Sequence, residues 1–176
     1  MFLIGFTGYS GSGKTTLAAR VVACLKEAGR SVSCIKDAHH QVDTDTPGKD
    51  TWRYREAGAQ QVVLRTPERW VVMEETPEGR VPLAELLRAM RPVDIIVAEG
   101  FKREGKFPRI EVRRRGCETP PLWLEREDIV AVATDDDALE IPDRLARLDV
   151  NDPRAVARFV EGLFERSRVS SKDAVA

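Results

Sequence analysis

A three-layer α/β fold with a mostly parallel central sheet is what this 176-residue sequence predicts, and three observations carry that expectation. Strand-like and helix-like segments alternate along the chain. The run Val93-Asp94-Ile95-Ile96-Val97-Ala98 is almost wholly apolar, as expected of a strand covered on both faces. The N-terminal segments follow the order strand, glycine-rich loop, helix, which a phosphate-binding loop requires.

Residues 2–7 read as a short buried strand. After the glycine-rich loop, Leu17, Val21, Cys24, Leu25 and Ala28 recur at helical spacing, and Gly29 supplies the stop. Residues 31–36 alternate small or polar with apolar side chains and predict a second strand ending at Asp37. Residues 37–49 hold His39, His40, Asp43, Asp45, Pro47 and Gly48 with hardly a core residue, which marks an exposed loop long enough to be functional. A short helix at 51–59 is followed by strands at 61–65 and 70–74 across a turn containing Pro67, a peripheral β-hairpin. Residues 82–90 predict a helix with proline in its first turn, halted by Pro92. Beyond the 93–98 strand, further strands are expected at 109–112 and 129–133. In residues 153–166, Val156, Phe159, Val160, Leu163 and Phe164 share one face of a last amphipathic helix. Length suits a single nucleotide-binding domain over residues 1–168, with 169–176 a fraying tail.

Gly8-Tyr9-Ser10-Gly11-Ser12-Gly13-Lys14-Thr15, followed by Thr16, satisfies the pattern G-x-x-x-x-G-K-[ST] in full. Glycine lets the backbone curl until successive N–H groups point inward at phosphate oxygens. Lys14 adds a point charge at the β and γ phosphates, Thr15 offers a hydroxyl to the accompanying magnesium ion, and the helix N-terminus favours the same anion. The expected ligand is therefore a nucleoside triphosphate with Mg2+.

Composition narrows the remaining classes. Apolar residues make up 42% and charged residues 32%, a soluble globular balance. No apolar run approaches the roughly 20 residues of a membrane span, and the N-terminus lacks the basic leader of a secretory signal, so a cytoplasmic protein is expected. A formal net charge of −1 gives no global attraction to nucleic acid or an anionic membrane. Cys24, Cys34 and Cys117 show no C-x-x-C spacing and read as buried or idle thiols. The run Arg113-Arg114-Arg115 reads as a solvated charged face, in preference to a contact with an acidic partner or phosphorylated ligand.

Magnesium prefers one or two carboxylates beside phosphate and water oxygens. In open α/β sheets ligands bind beyond the carboxyl ends of the strands. That rule selects Glu99 over Asp94, because Glu99 closes the apolar strand that Asp94 begins; Glu99 would hold a magnesium-bound water or orient the attacking water. Asp37 closes the second strand and is a candidate second magnesium contact. His39 and His40, with Asp43 and Asp45 nearby, read either as a transition-metal site or as a phosphate or substrate contact. Asp135 follows the 129–133 strand and has two readings of equal weight. It could accept together the N1–H and N2 amino donors of guanine, which adenine does not offer as a pair, or it could cap a turn in the acidic run 135–137.

Several of these segments together resemble the MobB family, the molybdopterin-guanine dinucleotide biosynthesis proteins B. The resemblance rests on residues 8–17, on His39-His40 through Asp43-Thr44-Asp45-Thr46-Pro47-Gly48-Lys49-Asp50 to Arg53 and Ala57-Gly58-Ala59, on Glu99-Gly100-Phe101-Lys102, and on Ala133-Thr134-Asp135. It implies a P-loop NTPase fold, GTP and Mg2+ as ligands, slow hydrolysis with Lys14 and Glu99 as the catalytic residues, and a homodimer. It also implies an accessory role beside the nucleotidyltransferase MobA late in molybdenum cofactor synthesis, with a molybdopterin-type cofactor as a further ligand. The family often carries histidine where this chain has Asp37. Relatives of the family place an extra loop lysine on the partner's nucleotide; Ser10 stands in that region here, so a cross-dimer lysine is not expected. Read from the residues alone, the alternative is a P-loop small-molecule kinase or ATP-dependent ligase, with residues 37–50 lining an acceptor pocket and Lys102, Arg103 and Lys106 as a basic lid.

Overall fold

The apolar runs of the sequence become neighbouring strands of one parallel sheet. The structure is a computed structural model that describes residues 1–38, 42–102 and 104–173. In chain order the elements are β1 (Phe2–Thr7), α1 (Lys14–Glu27), β2 (Val32–Lys36), α2 (Asp50–Glu56), β3 (Gln61–Arg65), β4 (Trp70–Glu74), α3 (Leu83–Ala89), β5 (Ile95–Glu99), β6 (Arg109–Arg113), a 3-10 turn (Leu122–Leu124), β7 (Ile129–Thr134), β8 (Ala146–Asp149) and α4 (Pro153–Asp173). They form two compact units, residues 1–37 with 91–176 and residues 38–90.

The first unit is built on a six-stranded sheet of order β2-β5-β1-β6-β7-β8 in which every neighbouring pair is parallel. The expected α/β fold with a parallel central sheet and a separate two-stranded hairpin is thus the observed one. Parallel pairing puts all carboxyl ends at one edge, so Thr7, Lys36, Glu99, Arg113 and Thr134 finish side by side. One face of the sheet carries Ile4, Phe6, Val97, Ile110, Val112, Ala131 and Ala133. Leu17, Val21 and Leu25 of α1 and Val156, Val160 and Phe164 of α4 close over it, which verifies the apolar stripes read at helical spacing. Helix α4 runs on past Arg166, to Asp173.

The opposite face is less ordinary. The side chains of β6 that do not enter the apolar core are Arg109, Glu111 and Arg113, each at most 4% exposed. Glu111 accepts from the backbone N–H groups of Leu122 (2.9 Å) and Trp123 (3.3 Å) and from Arg113 Nη1 (3.1 Å). Arg113 also donates to the carbonyls of Cys117 (3.2 Å) and Thr119 (2.7 Å). Buried charge survives only when paired and hydrogen-bonded, and here the partners are backbone groups of the segment that folds over the sheet. The prediction of a solvated face for 113–115 therefore fails at Arg113, while Arg115, 67% exposed, agrees with it.

One boundary differs and one strand is additional. Strand β5 starts at Ile95, because the Asp94 carboxylate turns to the N–H (2.8 Å) and Oγ (2.6 Å) of Ser31 and ties the amino ends of β2 and β5 together. Strand β8 was not foreseen: it is a four-residue edge strand whose residues are all exposed or half-buried, too short for its alternation to register.

The second unit has α2, the antiparallel hairpin β3–β4 in register Gln61↔Glu74 to Arg65↔Trp70, and α3. Its acidic loop residues are tied down locally. Asp43 Oδ1 accepts from Arg55 Nη1 (3.0 Å), Arg55 Nε donates to Glu75 (2.6 Å), and Asp45 Oδ1 accepts from the Thr51 hydroxyl (2.8 Å). Pro47-Gly48-Lys49-Asp50 forms the turn into α2, with Lys49 at its N-cap. His39 and His40, the candidates for a metal or phosphate contact, lie outside the described residues, as does Arg103.

Candidate functional site

The loop between β1 and α1 keeps a conformation that its sequence demands. Gly8 has φ +143°, and a Cβ there would sit 2.5 Å from the Val112 carbonyl of β6. The loop closes on itself through Ser12 N–H to the Tyr9 carbonyl (3.3 Å), and α1 starts at Lys14 with no side-chain cap. Ser12 Oγ is buried without a hydrogen-bond partner. An uncapped helix start and an unsatisfied hydroxyl in one glycine-rich loop leave donors free for an anion.

Lys14 folds back so that its Nζ donates to the Tyr9 carbonyl at 2.7 Å. Its ammonium is held below the ordinary lysine range first by burial, then by Lys102, with Lys36 adding to the effect and Glu99 opposing it. The Lys102 ammonium lies 5.1 Å from the centre of the Tyr9 ring. Cationic charge is therefore concentrated around the loop and incompletely neutralised.

Thr15 and Glu99 meet as the carboxyl-end rule anticipates. The Thr15 hydroxyl donates to Glu99 Oε1 at 2.7 Å. Lys36 Nζ lies 3.2 Å from the same oxygen and 3.4 Å from Thr15 Oγ1. Directly after Glu99 the chain turns through Gly100, at φ +91°, where a Cβ would lie 2.7 Å from the Asp37 carbonyl. Asp37 N–H in turn donates to the Glu99 carbonyl at 2.9 Å, so Asp37 is at this edge of the sheet. Among the described residues no group of three or more His, Cys, Asp or Glu side chains gathers as a metal site.

The segment after Gly100 is braced from below. Buried Arg109 donates to the carbonyls of Phe101 (3.1 Å) and Glu104 (2.6 Å), stacks 3.7 Å from the Phe107 ring centre and pairs with Asp128; burial lowers its pKa to about 10. Phe101, at φ +49° and 3% exposed, keeps a left-handed conformation that a phenylalanine seldom adopts, at a cost of about 1 kcal/mol or more.

Asp135 lies at the end of β7, and its carboxylate is already engaged. Oδ2 accepts from Arg114 Nη1 at 2.9 Å and Oδ1 from the Arg115 N–H at 2.7 Å, and the Arg114 bond, followed by the Arg115 bond, holds its pKa below the usual carboxylate value. Arg114 Nη1 also donates to Asn151 Oδ1 at 3.0 Å, and Arg114 Nη2 lies 3.5 Å from where a Gly13 Cβ would be. One guanidinium thus joins the loops after β6, β7 and β8 and lies close beside the glycine-rich loop. Sequence reasoning passed over Lys36 and read Arg114 as part of a solvated charged face. The rule that selected Glu99 reaches both, since Lys36 ends β2 and Arg114 directly follows β6.

A parallel sheet whose central β1 runs through a glycine loop into a lysine-led helix defines an α/β protein of the phosphate-loop NTPase type. Solved structures share this fold: the likeness to Bacillus subtilis MobB has a TM-score of 0.72 at 23% identity, covering 92% of this chain and 97% of that one. A MobB homologue from Bacillus stearothermophilus gives 0.68 at 22% identity over 94% and 99%. The chain belongs to the MobB family, whose model, described as molybdopterin guanine dinucleotide synthesis protein B, matches residues 3–135. It is 43% identical over 161 residues to the molybdopterin-guanine dinucleotide biosynthesis adapter protein of Haemophilus influenzae, covering 90% of this chain and 87% of that protein. The adapter protein of Escherichia coli is 38% identical over 90% of each.

Proposed function

We propose that this chain is a GTP-binding adapter in the synthesis of molybdopterin guanine dinucleotide, hydrolysing GTP slowly and assisting the guanylyltransferase MobA. The pathway assignment is supported by relatives named as adapter proteins for that synthesis. The observation that carries the nucleotide reading is the Thr15–Glu99 contact at the mouth of a cationic glycine loop. Its donor set fits Mg2+, which takes few protein oxygens and completes its shell with phosphate and water, and the ammonium of Lys36 already stands beside both oxygens as a cation. Thr15 and Glu99 would hold the ion, Asp37 would add a contact from the end of β2, and the ion would neutralise the charge that develops on the β and γ phosphates. Lys14 would leave the Tyr9 carbonyl for those phosphates, while Glu99 orients the water. With Ser10 where relatives of the family carry a second loop lysine, turnover is slow.

Asp135 would accept the two guanine donors, its remaining lone pairs being available while Arg114 and Arg115 hold the carboxylate in position. The hairpin residues Val63, Leu64, Trp70, Val71 and Val72, between 40% and 58% exposed, support a homodimer that covers them, and light scattering should then give twice the 19.7 kDa chain mass. The molybdopterin product would be the cargo passed to or from MobA.

Calorimetric titration with GTP and ATP in the presence of Mg2+ tests the reading. Wild type should prefer GTP, Asp135→Ala should lose that preference, and added protein should raise the yield of guanine dinucleotide from MobA. Equal affinity for GTP and ATP, or phosphate transfer to a small acceptor without a protein partner, would overturn it. So would hydrolysis by the protein alone at tens per second or more, the upper range of efficient phosphoryl transfer.

A further inference from the structure

Lys36 is the last residue of β2 and the register partner of Glu99 on β5, so the pairing of two parallel strands sets its side chain beside that carboxylate. Its Nζ is 3.2 Å from Glu99 Oε1 and 3.4 Å from Thr15 Oγ1, and those two oxygens are 2.7 Å apart. A single ammonium thus bridges the hydroxyl and the carboxylate that the proposed Mg2+ would use.

We propose that Lys36 is a built-in occupant of the metal position: its ammonium holds Thr15 and Glu99 together while no divalent ion is bound, and it yields when Mg2+ arrives with the nucleotide. The inference rests on the nucleotide and magnesium reading above and adds to it a competitor supplied by the chain. Two observations make the exchange feasible. The Lys36 side chain is 58% exposed, so its four-carbon stem can swing into solvent without opening the core. Glu99, at 15%, is largely enclosed and stays in place. A unit charge a few ångströms from a divalent ion repels it strongly enough to matter even under solvent screening, so ammonium and metal exclude one another. An ammonium held at the site also keeps Glu99 and Thr15 from drifting apart in the empty state, which leaves the ligand pair preformed for the ion. Lys36 is on this account a positioning residue, and its charge sets the magnesium concentration at which the nucleotide complex assembles.

Manganese binding followed by electron paramagnetic resonance tests this directly, with the full chain saturated with GTP and Mn2+ as the probe. Lys36→Gln removes the competing charge from an exposed position and should tighten Mn2+ about three- to tenfold. Lys26→Gln removes an exposed lysine from the far end of α1, about 16 Å from Thr15 at about 1.5 Å of rise per helical residue, and should change Mn2+ affinity by less than about twofold. Unchanged or weaker Mn2+ binding in Lys36→Gln overturns the proposal, as does equal tightening in both variants, which would mean a general field in place of a shared position. Absence of Mn2+ binding by the wild type with GTP overturns the magnesium reading itself and the inference with it, a result distinguishable from failure of the lysine alone. Thermal unfolding of each variant verifies that the fold is retained.

Discussion

The two ends of the candidate site solve opposite electrostatic problems. Around the glycine loop, Lys14, Lys36 and Lys102 gather beside the Glu99 carboxylate, and Lys14 is left with its charge disfavoured. At the ends of β6, β7 and β8 the charges are matched: Asp135 is bonded to Arg114 and the Arg115 N–H, and Arg114 to Asn151. The first end carries an excess of positive charge and gains from any phosphate. The second end is self-satisfied, so a base must share or displace bonds already made. On the proposed nucleotide reading, affinity should therefore come from the phosphate end and be large, whereas selectivity should come from the other and be modest, because it would be a difference between nearly equal states.

The largest effect expected is on the scaffold of the matched end. Glu111→Ala strips Arg113 of its buried partner and releases the Leu122 and Trp123 N–H groups, so unfolding free energy should fall by about 3–5 kcal/mol, measured by urea denaturation. A loss under about 1 kcal/mol would show that the segment after Arg115 is held by something other than the buried charges. Next comes Lys14→Ala, which should weaken GTP and ATP alike by about a hundredfold or more in calorimetry, since the charge it removes meets phosphate and never the base. A loss confined to GTP would break the division between the two ends.

Arg114→Ala is smaller and more discriminating. If Arg114 holds Asp135 in position for guanine, the GTP to ATP affinity ratio should fall about fivefold while ATP binding changes little. A rising ratio would mean that the arginine competes with the base, and the matched end would then be an autoinhibited one.

The same contrast governs what the sequence could reveal. The glycine loop is written in consecutive residues, and Glu99 follows from strand order alone, because the carboxyl edge of a parallel sheet is a property of topology. Arg109, Glu111 and Arg113 alternate along β6 as charged residues alternate along a half-exposed strand. Only the tertiary partners turn that pattern inward: backbone groups of the 117–124 segment for Glu111 and Arg113, and the Phe101 and Glu104 carbonyls with Asp128 for Arg109. Lys36 and Arg114 stayed illegible for a related reason: single charged residues at strand ends are common, and only register and the approach of a second loop make these two converge on Thr15 and Asp135.

The smallest effect is the acid response of the Asp135 pair. Because Arg114 and the Arg115 N–H depress its pKa below the usual aspartate range, the folded chain gives up this proton more readily than the unfolded chain does. The pair's contribution to stability is accordingly full above about pH 4 and is lost as the pH falls through the depressed folded value. Both partners are partly exposed, which limits the contribution to about 1 kcal/mol or less. Wild type should exceed Asp135→Asn by that amount in unfolding free energy at pH 6, and the two curves should converge toward pH 2. A gap that persists in acid would assign the stabilisation to the geometry of the side chain and not to its charge. The matched end would then be a hydrogen-bonded brace, and its selectivity for guanine would not weaken with acid in step with the carboxylate.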